Sequence, residues 1–127
     1  MQGKGQSLGR MGEERAVAYL ERGGYEIVAR NYRIRSGEID IIARKGGILV
    51  FVEVKTRRSR TFGSGEESID RAKQRQIAKT AAHYLQTLPP LERDIRFDVI
   101  TVQISEGDVW ISHIPDAFST PEGTFYG

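Results

Sequence analysis

The stretch Gly37–Lys55, GEIDIIARKGGILVFVEVK, decides how this chain is read. Two apolar runs flank Gly46-Gly47, and a Gly-Gly pair in that setting signals a two-residue hairpin loop. Such a loop pairs Ile41 with Val52, Ala43 with Val50 and Ile39 with Val54, so one face is wholly apolar. The other face starts apolar, with Ile42 against Phe51 near the turn. At its open end it is expected to set Asp40 opposite Glu53 and Glu38 opposite Lys55. Two carboxylates directly across a sheet repel each other unless something compensates. A hard divalent cation such as magnesium does so directly, because it takes oxygen ligands. The plain alternative is a salt-bridged strand end, with Lys55 neutralising Glu38 or Glu53. That alternative interrupts strands that are otherwise strongly apolar.

Working outward, Gly12 to Arg22 reads as a helix. Glu13, Ala16, Val17 and Leu20 follow helical spacing, and Gly23-Gly24 ends the run. The preceding glycines, in GKGQSLGRMG, contain no nucleotide-binding pattern and read as a flexible lead-in. YEIVARNYRI reads as a strand before the hairpin, and TRRSRTFGSGEES as an exposed loop after it. Ser68 to Leu88 reads as a longer helix with Ile69, Ile77, Ala81, Tyr84, Leu85 and Leu88 on its apolar stripe and Pro89-Pro90 as its stop. Arg71, Arg75 and Lys79 sit four apart on another face. IRFDVITVQI and DVWISHI form a last strand pair around Glu106-Gly107. The order α-β-β-β-α-β-β predicts an α/β fold with a mixed central sheet flanked by helices.

The 127 residues suit one domain, residues 1–127, with a core of about 8–114 and an irregular tail from 115 to 127. Hydrophobic residues make up 39% and charged residues 28%, which excludes a disordered chain. The chain has no cysteine, which excludes disulfides and thiolate metal sites. No signal-peptide core and no apolar run near the ~20 residues of a membrane span is present, so a cytoplasmic location is expected. The net charge is only +2, yet Lys55, Arg57, Arg58, Arg60, Arg71, Lys73, Arg75 and Lys79 crowd the middle of the chain. From Ser105 onward the charged residues are acidic. A basic middle beside an acidic tail points to a polyanion partner, with a solvated surface as the bland alternative. His83 and His113 read as packing or surface residues, since neither has a second ligand at metal spacing.

Asp40 and the EVK of Glu53–Lys55, with twelve residues between them, have the layout of the PD-(D/E)XK nuclease motif. With GRMGEERAVAYLERGGYEIVARNYR, SGEIDIIA, LVFVEVKTR and IRFDVITV, the chain closely resembles the YraN family of predicted endonucleases over residues 8–104. The helix-then-hairpin layout is also similar to archaeal Holliday junction resolvases. Ile39 stands where the motif has its proline. The resemblance implies a restriction-endonuclease-like fold and metal-dependent hydrolysis of DNA, on branched or damaged substrates. It matches Glu13, in GEERA, to an acidic residue of the resolvases that joins the site from the first helix.

On this basis Asp40 and Glu53 are expected to hold magnesium, for which manganese can substitute. The backbone carbonyl of Val54 would complete the shell, and Glu13 would reach the metal directly or through water. Lys55, kept cationic by its acidic neighbours, would orient water and phosphate rather than act as a base. Glu38 is open between tuning Lys55, binding a second metal and a simple salt bridge. Arg57, Arg58, Lys73, Arg75 and Lys79 are candidate phosphate contacts. A symmetric homodimer would suit cuts on two strands. A non-catalytic nucleic-acid-binding module on the same fold is the alternative function, and a purely structural domain the third.

Overall fold

The computed structural model describes residues 7–58, 69–90 and 93–119. The basic loop at Arg60 and the tail beyond residue 119 lie outside them. The elements are α1 (Leu8–Arg22), β1 (Glu26–Ile34), β2 (Gly37–Lys45), β3 (Ile48–Arg58), α2 (Arg71–Gln86), β4 (Asp94–Ser105) and β5 (Asp108–Ile114). This is the expected order, α-β-β-β-α-β-β. The strands form one sheet in sequence order, β1 to β5. Only β3 and β4 run parallel, and the other pairs are antiparallel. A parallel pair needs a long crossover, and α2 lies within the one that joins them.

Helix α1 starts earlier than its apolar spacing suggested. Ser7 caps it by accepting from the Arg10 N–H at 3.1 Å, so Leu8 to Met11 are helical rather than a lead-in. Gly12 is buried against β3, where a Cβ would overlap the Thr56 side chain. Its cost in helix propensity is thus offset by a close helix–sheet approach. The helix ends in a Schellman arrangement. Gly24, at φ +91°, donates to Glu21, and Tyr25 donates to Leu20. Asp70 caps α2 by accepting from the Lys73 N–H at 2.8 Å. That helix ends at Gln86, with Thr87 as its cap, two residues before Pro89.

Each face of the sheet buries its own cluster. Ala16 and Leu20 of α1 pack on Ile41, Ala43, Val50, Val52, Ile100 and Val102. Ile77 and Ala81 of α2 pack with Ile39, Ile42, Phe51, Phe97 and Val99 on the other face. Ile69 joins this second cluster from just outside the helix. The first residues of the expected tail dock here too. Ala117 donates to the Phe97 carbonyl, and the Phe118 ring stacks on Phe97 at 5.1 Å.

The hairpin keeps its expected register near the turn and departs from it at the open end. Gly46 and Gly47 both have positive φ, and Ile41–Lys45 pair with Ile48–Val52 as anticipated. Beyond Ile41 the ladder stops. Ile39 does not face Val54 across it, nor Asp40 Glu53, nor Glu38 Lys55. Instead Ile39 crosses to the α2 side, leaving Ile41 on the α1 side. The physical reason lies in β1. Asn31, at φ +52°, falls between the pairs Arg30–Ile41 and Tyr32–Ile39, so it stands across from Asp40. A left-handed residue inside a strand breaks the two-residue alternation, and asparagine tolerates that conformation. The edge ribbon therefore turns over as a unit and peels away from β3.

Among the described residues no helix is long and apolar enough to cross a membrane.

Candidate active site

The fork between β2 and β3 holds the acidic residues. Where the ladder ends, the Asp40 side chain takes over, its Oδ2 accepting from the Val54 N–H at 2.8 Å. In a strand a residue's N–H and C=O point to the same neighbour, so the Val54 carbonyl faces the same gap. Glu53 is buried and hydrogen-bonded to Asp40. The two carboxylates thus meet side chain to side chain, although their backbones are not paired.

Two carboxylates cannot share a hydrogen bond unless one is protonated. Burial, then the Asp40 charge, pushes the Glu53 carboxyl up to about 7, against the partial relief of Lys73 and Lys55. Asp40 is also raised. Burial is the main cause and the Glu38 charge adds to it, opposed by the Val54 N–H, Lys73 and the Glu53 hydrogen bond. Burial and mutual repulsion thus push both carboxyls towards holding a proton as neutral pH is approached.

Glu13 enters from the first turns of α1. It accepts from Asn31 Nδ2 at 2.9 Å, so the residue that breaks the strand also orients this carboxylate. Burial, then the charges of Asp40 and Glu38, raises its pKa. Glu14 points elsewhere and pairs with Arg30 at 3.3 Å. Asn31 escaped the sequence reading. A polar residue inside a strand is a weak signal, and its role shows only when β1 and α1 are seen together.

Among the other expected residues, Lys55 is half-buried on β3, two positions beyond Glu53. Lys73 reaches Glu53 at 3.8 Å, so it serves here as a counter-charge to the acidic pair. Glu38 pairs with Arg33 at 3.2 Å, and its charge also acts on Glu13 and Asp40. Arg57 and Arg58 continue β3 past the fork, Arg57 half-buried and Arg58 exposed. Arg75 and Lys79 stay on the exposed face of α2, where Arg71, Gln74, Arg75 and Ser119 line an open cleft.

The donor set suits a hard cation. It is all oxygen, two of its members are carboxyls with raised pKa whose proton a cation can displace, and a backbone carbonyl faces the same gap. Among the described residues no three His, Cys, Asp or Glu side chains converge as a metal cage. Magnesium does not demand one, since it keeps several waters and is commonly held by one or two carboxylates.

A second acidic centre went unread in the sequence. Asp98 on β4 is fully buried on the α1 side. It accepts two hydrogen bonds from Arg96 at 2.9 Å and one from the Asp116 N–H at 3.0 Å. His113 Nε2 lies 2.7 Å from it, and Tyr19 closes the chain at His113 Nδ1, 3.1 Å away. The packing role expected of His113 thus takes the form of a polar tie. His83 is a surface residue of α2, exposed and 2.7 Å from the Tyr32 hydroxyl.

A five-stranded mixed sheet between two helices, with an acidic pair at the fork of its central strands, is a restriction-endonuclease-like architecture, consistent with the PD-(D/E)XK class. The comparisons narrow this to one family. The model described as Uncharacterised protein family UPF0102 matches residues 12–102. A UPF0102 protein of Geobacter metallireducens is 50% identical over 112 residues, covering 88% of this chain and 92% of its own. Another, from Symbiobacterium thermophilum, is 51% identical over 96 residues, 76% of this chain and 81% of its own. A third, from Syntrophus aciditrophicus, is 46% identical over 115 residues and covers 91% of each chain. The chain belongs to the UPF0102 family, the YraN family of the sequence resemblance.

Proposed function

We propose that this protein is a metal-dependent endonuclease that hydrolyses phosphodiester bonds of DNA, with branched or damaged DNA as the substrate class and a cytoplasmic location. The observation that carries this reading is the buried Glu53 beside Asp40 where the β2–β3 ladder ends and Asp40 accepts from the Val54 N–H. A structural ion pair has no need of two carboxylates forced together. A cation site does. Asp40, Glu53 and the Val54 carbonyl would hold magnesium or manganese. When bound, the ion would neutralise the pair, polarise a phosphate oxygen and supply an activated water.

The remaining roles belong to the chain's own groups. Asp40 aligns the end of β3 through the Val54 N–H. Glu13, held by Asn31, faces the pair from α1 and takes a direct or water-bridged place beside it. Lys55 projects from the same face of β3 as Glu53 and stabilises charge on the phosphate. Lys73 is the counter-ion of Glu53 and turns to phosphate once the pair is neutralised. Arg57, Arg58, Arg75 and Lys79 contact the nucleic-acid backbone, which positions it without reading sequence. A homodimer would allow paired cuts, and sedimentation measures it.

The test is cleavage of labelled four-way junction, flap, linear duplex and single-stranded DNA with magnesium, manganese or EDTA. Metal-dependent cutting, lost in Asp40→Ala and in Lys55→Ala with binding retained in the latter, is the expected result. One observation favours the second reading, a non-catalytic nucleic-acid-binding module: Lys73 already supplies Glu53 with a positive charge. Calorimetry separates the two. No heat of magnesium or manganese binding, with DNA still bound in EDTA, would establish the binding module.

A further inference from the structure

Strand β1 changes face in its middle. Arg30 and Tyr32 are two residues apart, and in a regular strand they would project the same way. Arg30 instead meets Glu14 of α1 at 3.3 Å. Tyr32 meets His83 of α2 at 2.7 Å and sets its ring edge-on to Tyr84. The two helices lie on opposite faces of the sheet. Between the two residues stands Asn31, at φ +52°. The pairing with β2 runs through without a shift there, from Arg30–Ile41 to Tyr32–Ile39, so the change of face falls at the level of Asp40. Glu106 and Asp116 share this left-handed conformation, but both lie in turns, whereas Asn31 holds it inside a strand. A non-glycine residue kept in that region stores strain, and such strain gathers at functional sites. The Asn31 side chain is committed as well. A carboxylate only accepts, so the amide nitrogen faces Glu13, and Nδ2 donates to Oε1 at 2.9 Å.

We propose that Asn31 is the positioning residue of the acidic site and acts through two separable parts: its left-handed backbone opens the fork, and its amide presents Glu13 to the cation. This deepens the nuclease reading and rests on it. The backbone part works through β2. With the ribbon turned over at Asp40, the β2–β3 ladder ends and the Val54 N–H is left for the Asp40 carboxylate. The amide part works through charge. Glu14, the next residue of α1, is neutralised by Arg30. Glu13 is held by a neutral donor instead, and Asn31 is the donor it has among the described residues. An amide fixes one carboxylate oxygen without cancelling the charge, so the other oxygen stays available to a cation or its water. Carboxylates that ligate metals are commonly oriented by such a hydrogen bond. Asparagine alone suits both parts: glycine would keep the backbone and lose the amide, and a β-branched residue would lose both.

The two parts are tested apart. Asn31→Gly removes the amide and keeps a backbone that glycine adopts freely. Asn31→Ala and Asn31→Val remove the amide and disfavour that backbone, the second more strongly. Manganese binding by the full-length protein is measured by calorimetry. The melting temperature and the NMR shift of the Val54 amide proton are followed in EDTA. Asn31→Gly should weaken manganese binding about tenfold, with the melting temperature held or raised and the Val54 signal in place. Asn31→Ala and Asn31→Val should melt lower, in that order, move the Val54 signal and bind manganese more weakly still. Glu13→Gln supplies a readout that a merely structural role would not move. In that background Asn31→Gly should cost no further affinity, because the amide acts through Glu13. Manganese binding unchanged in Asn31→Gly, or losses that add in the double variant, overturns the amide part. A Val54 signal that stays in place in both Asn31→Ala and Asn31→Val overturns the backbone part. Each of these outcomes leaves the nuclease reading standing, whereas a wild-type protein that binds no manganese overturns both.

Discussion

Asp98 and the Asp40–Glu53 pair are both buried acids, and the fold treats them in opposite ways. Burial alone would raise Asp98. The bonds from His113, Arg96 and the Asp116 N–H outweigh it and hold the carboxyl below its ordinary value. Since a carboxylate only accepts, His113 must donate through Nε2, which in the neutral ring leaves Nδ1 to accept from Tyr19. One ion thus ties β4 to β5, to the turn at Asp116 and to α1. Asp40 accepts from the Val54 N–H, and the side chain it meets there, Glu53, is another acid. There burial wins and the pair keeps a proton. A satisfied buried charge fastens elements together, whereas an unsatisfied pair is driven towards holding a proton.

The largest effect should come from exchanging the fates of the two sites by mutation. Asp98→Ala leaves Arg96 and His113 without their acceptor in a largely buried setting. Breaking such a cluster costs about 3–5 kcal/mol, read by urea unfolding. Asp40→Asn removes a like charge while keeping an acceptor for Val54. It should leave stability within about 1 kcal/mol or raise it, yet weaken magnesium binding at least tenfold in calorimetry. Equal losses of stability in the two variants would erase the distinction drawn between the sites.

The next effect is the pH dependence of the metal-free protein, where the two sites give slopes of opposite sign. Asp98 is lowered, so its stabilisation is present above the unfolded value of 3.8 and is lost as pH falls through its folded pKa. Glu53 is raised from 4.5 to about 7, so between those values the folded chain holds a proton that the unfolded chain has released. Stability therefore falls as pH rises across that window, by about 3 kcal/mol. Denaturation at pH 4.5 to 8 in EDTA measures it. Glu53→Gln should flatten the slope, and magnesium should restore stability at the alkaline end of the wild-type curve.

How far the sequence revealed each region follows from the range of its interactions. The turn end of the hairpin was legible because Gly46-Gly47 and the Ile41–Val52 alternation are local. The open end was legible in composition but not in geometry. The residues that meet there were named, Asp40 and Glu53 above all, but the ladder stops short of them because of Asn31, on a different strand. The start of α1 was hidden because Gly9 and Gly12 look like linker residues. The need for Gly12 appears only against Thr56 of β3. The Asp98 centre was invisible, since Tyr19, Tyr25 and His113 reach it from distant parts of the chain.

The smallest effect concerns Lys73, which forms an ion pair with Glu53 at the fork. Its ammonium is 3.8 Å from Glu53 and about one-third exposed, so the ion pair is worth less than about 1 kcal/mol to stability. Its influence on protonation is easier to see. The Lys73 charge lowers both Asp40 and Glu53, and the Asp40 charge raises Glu53. Lys73→Ala should therefore move the Glu53 midpoint above about 7, and Asp40→Asn should move it below, as followed by carboxyl carbon NMR in EDTA. With magnesium bound, the pair no longer needs the ammonium. Lys73→Ala should then weaken DNA binding and reduce its salt dependence, with little change in cation affinity. A Glu53 midpoint unmoved by Lys73→Ala would show the ion pair to be incidental. The raised Glu53 carboxyl would then rest on burial and Asp40, with Lys55 as its remaining counter-charge, and the contrast with the fully satisfied Asp98 would sharpen.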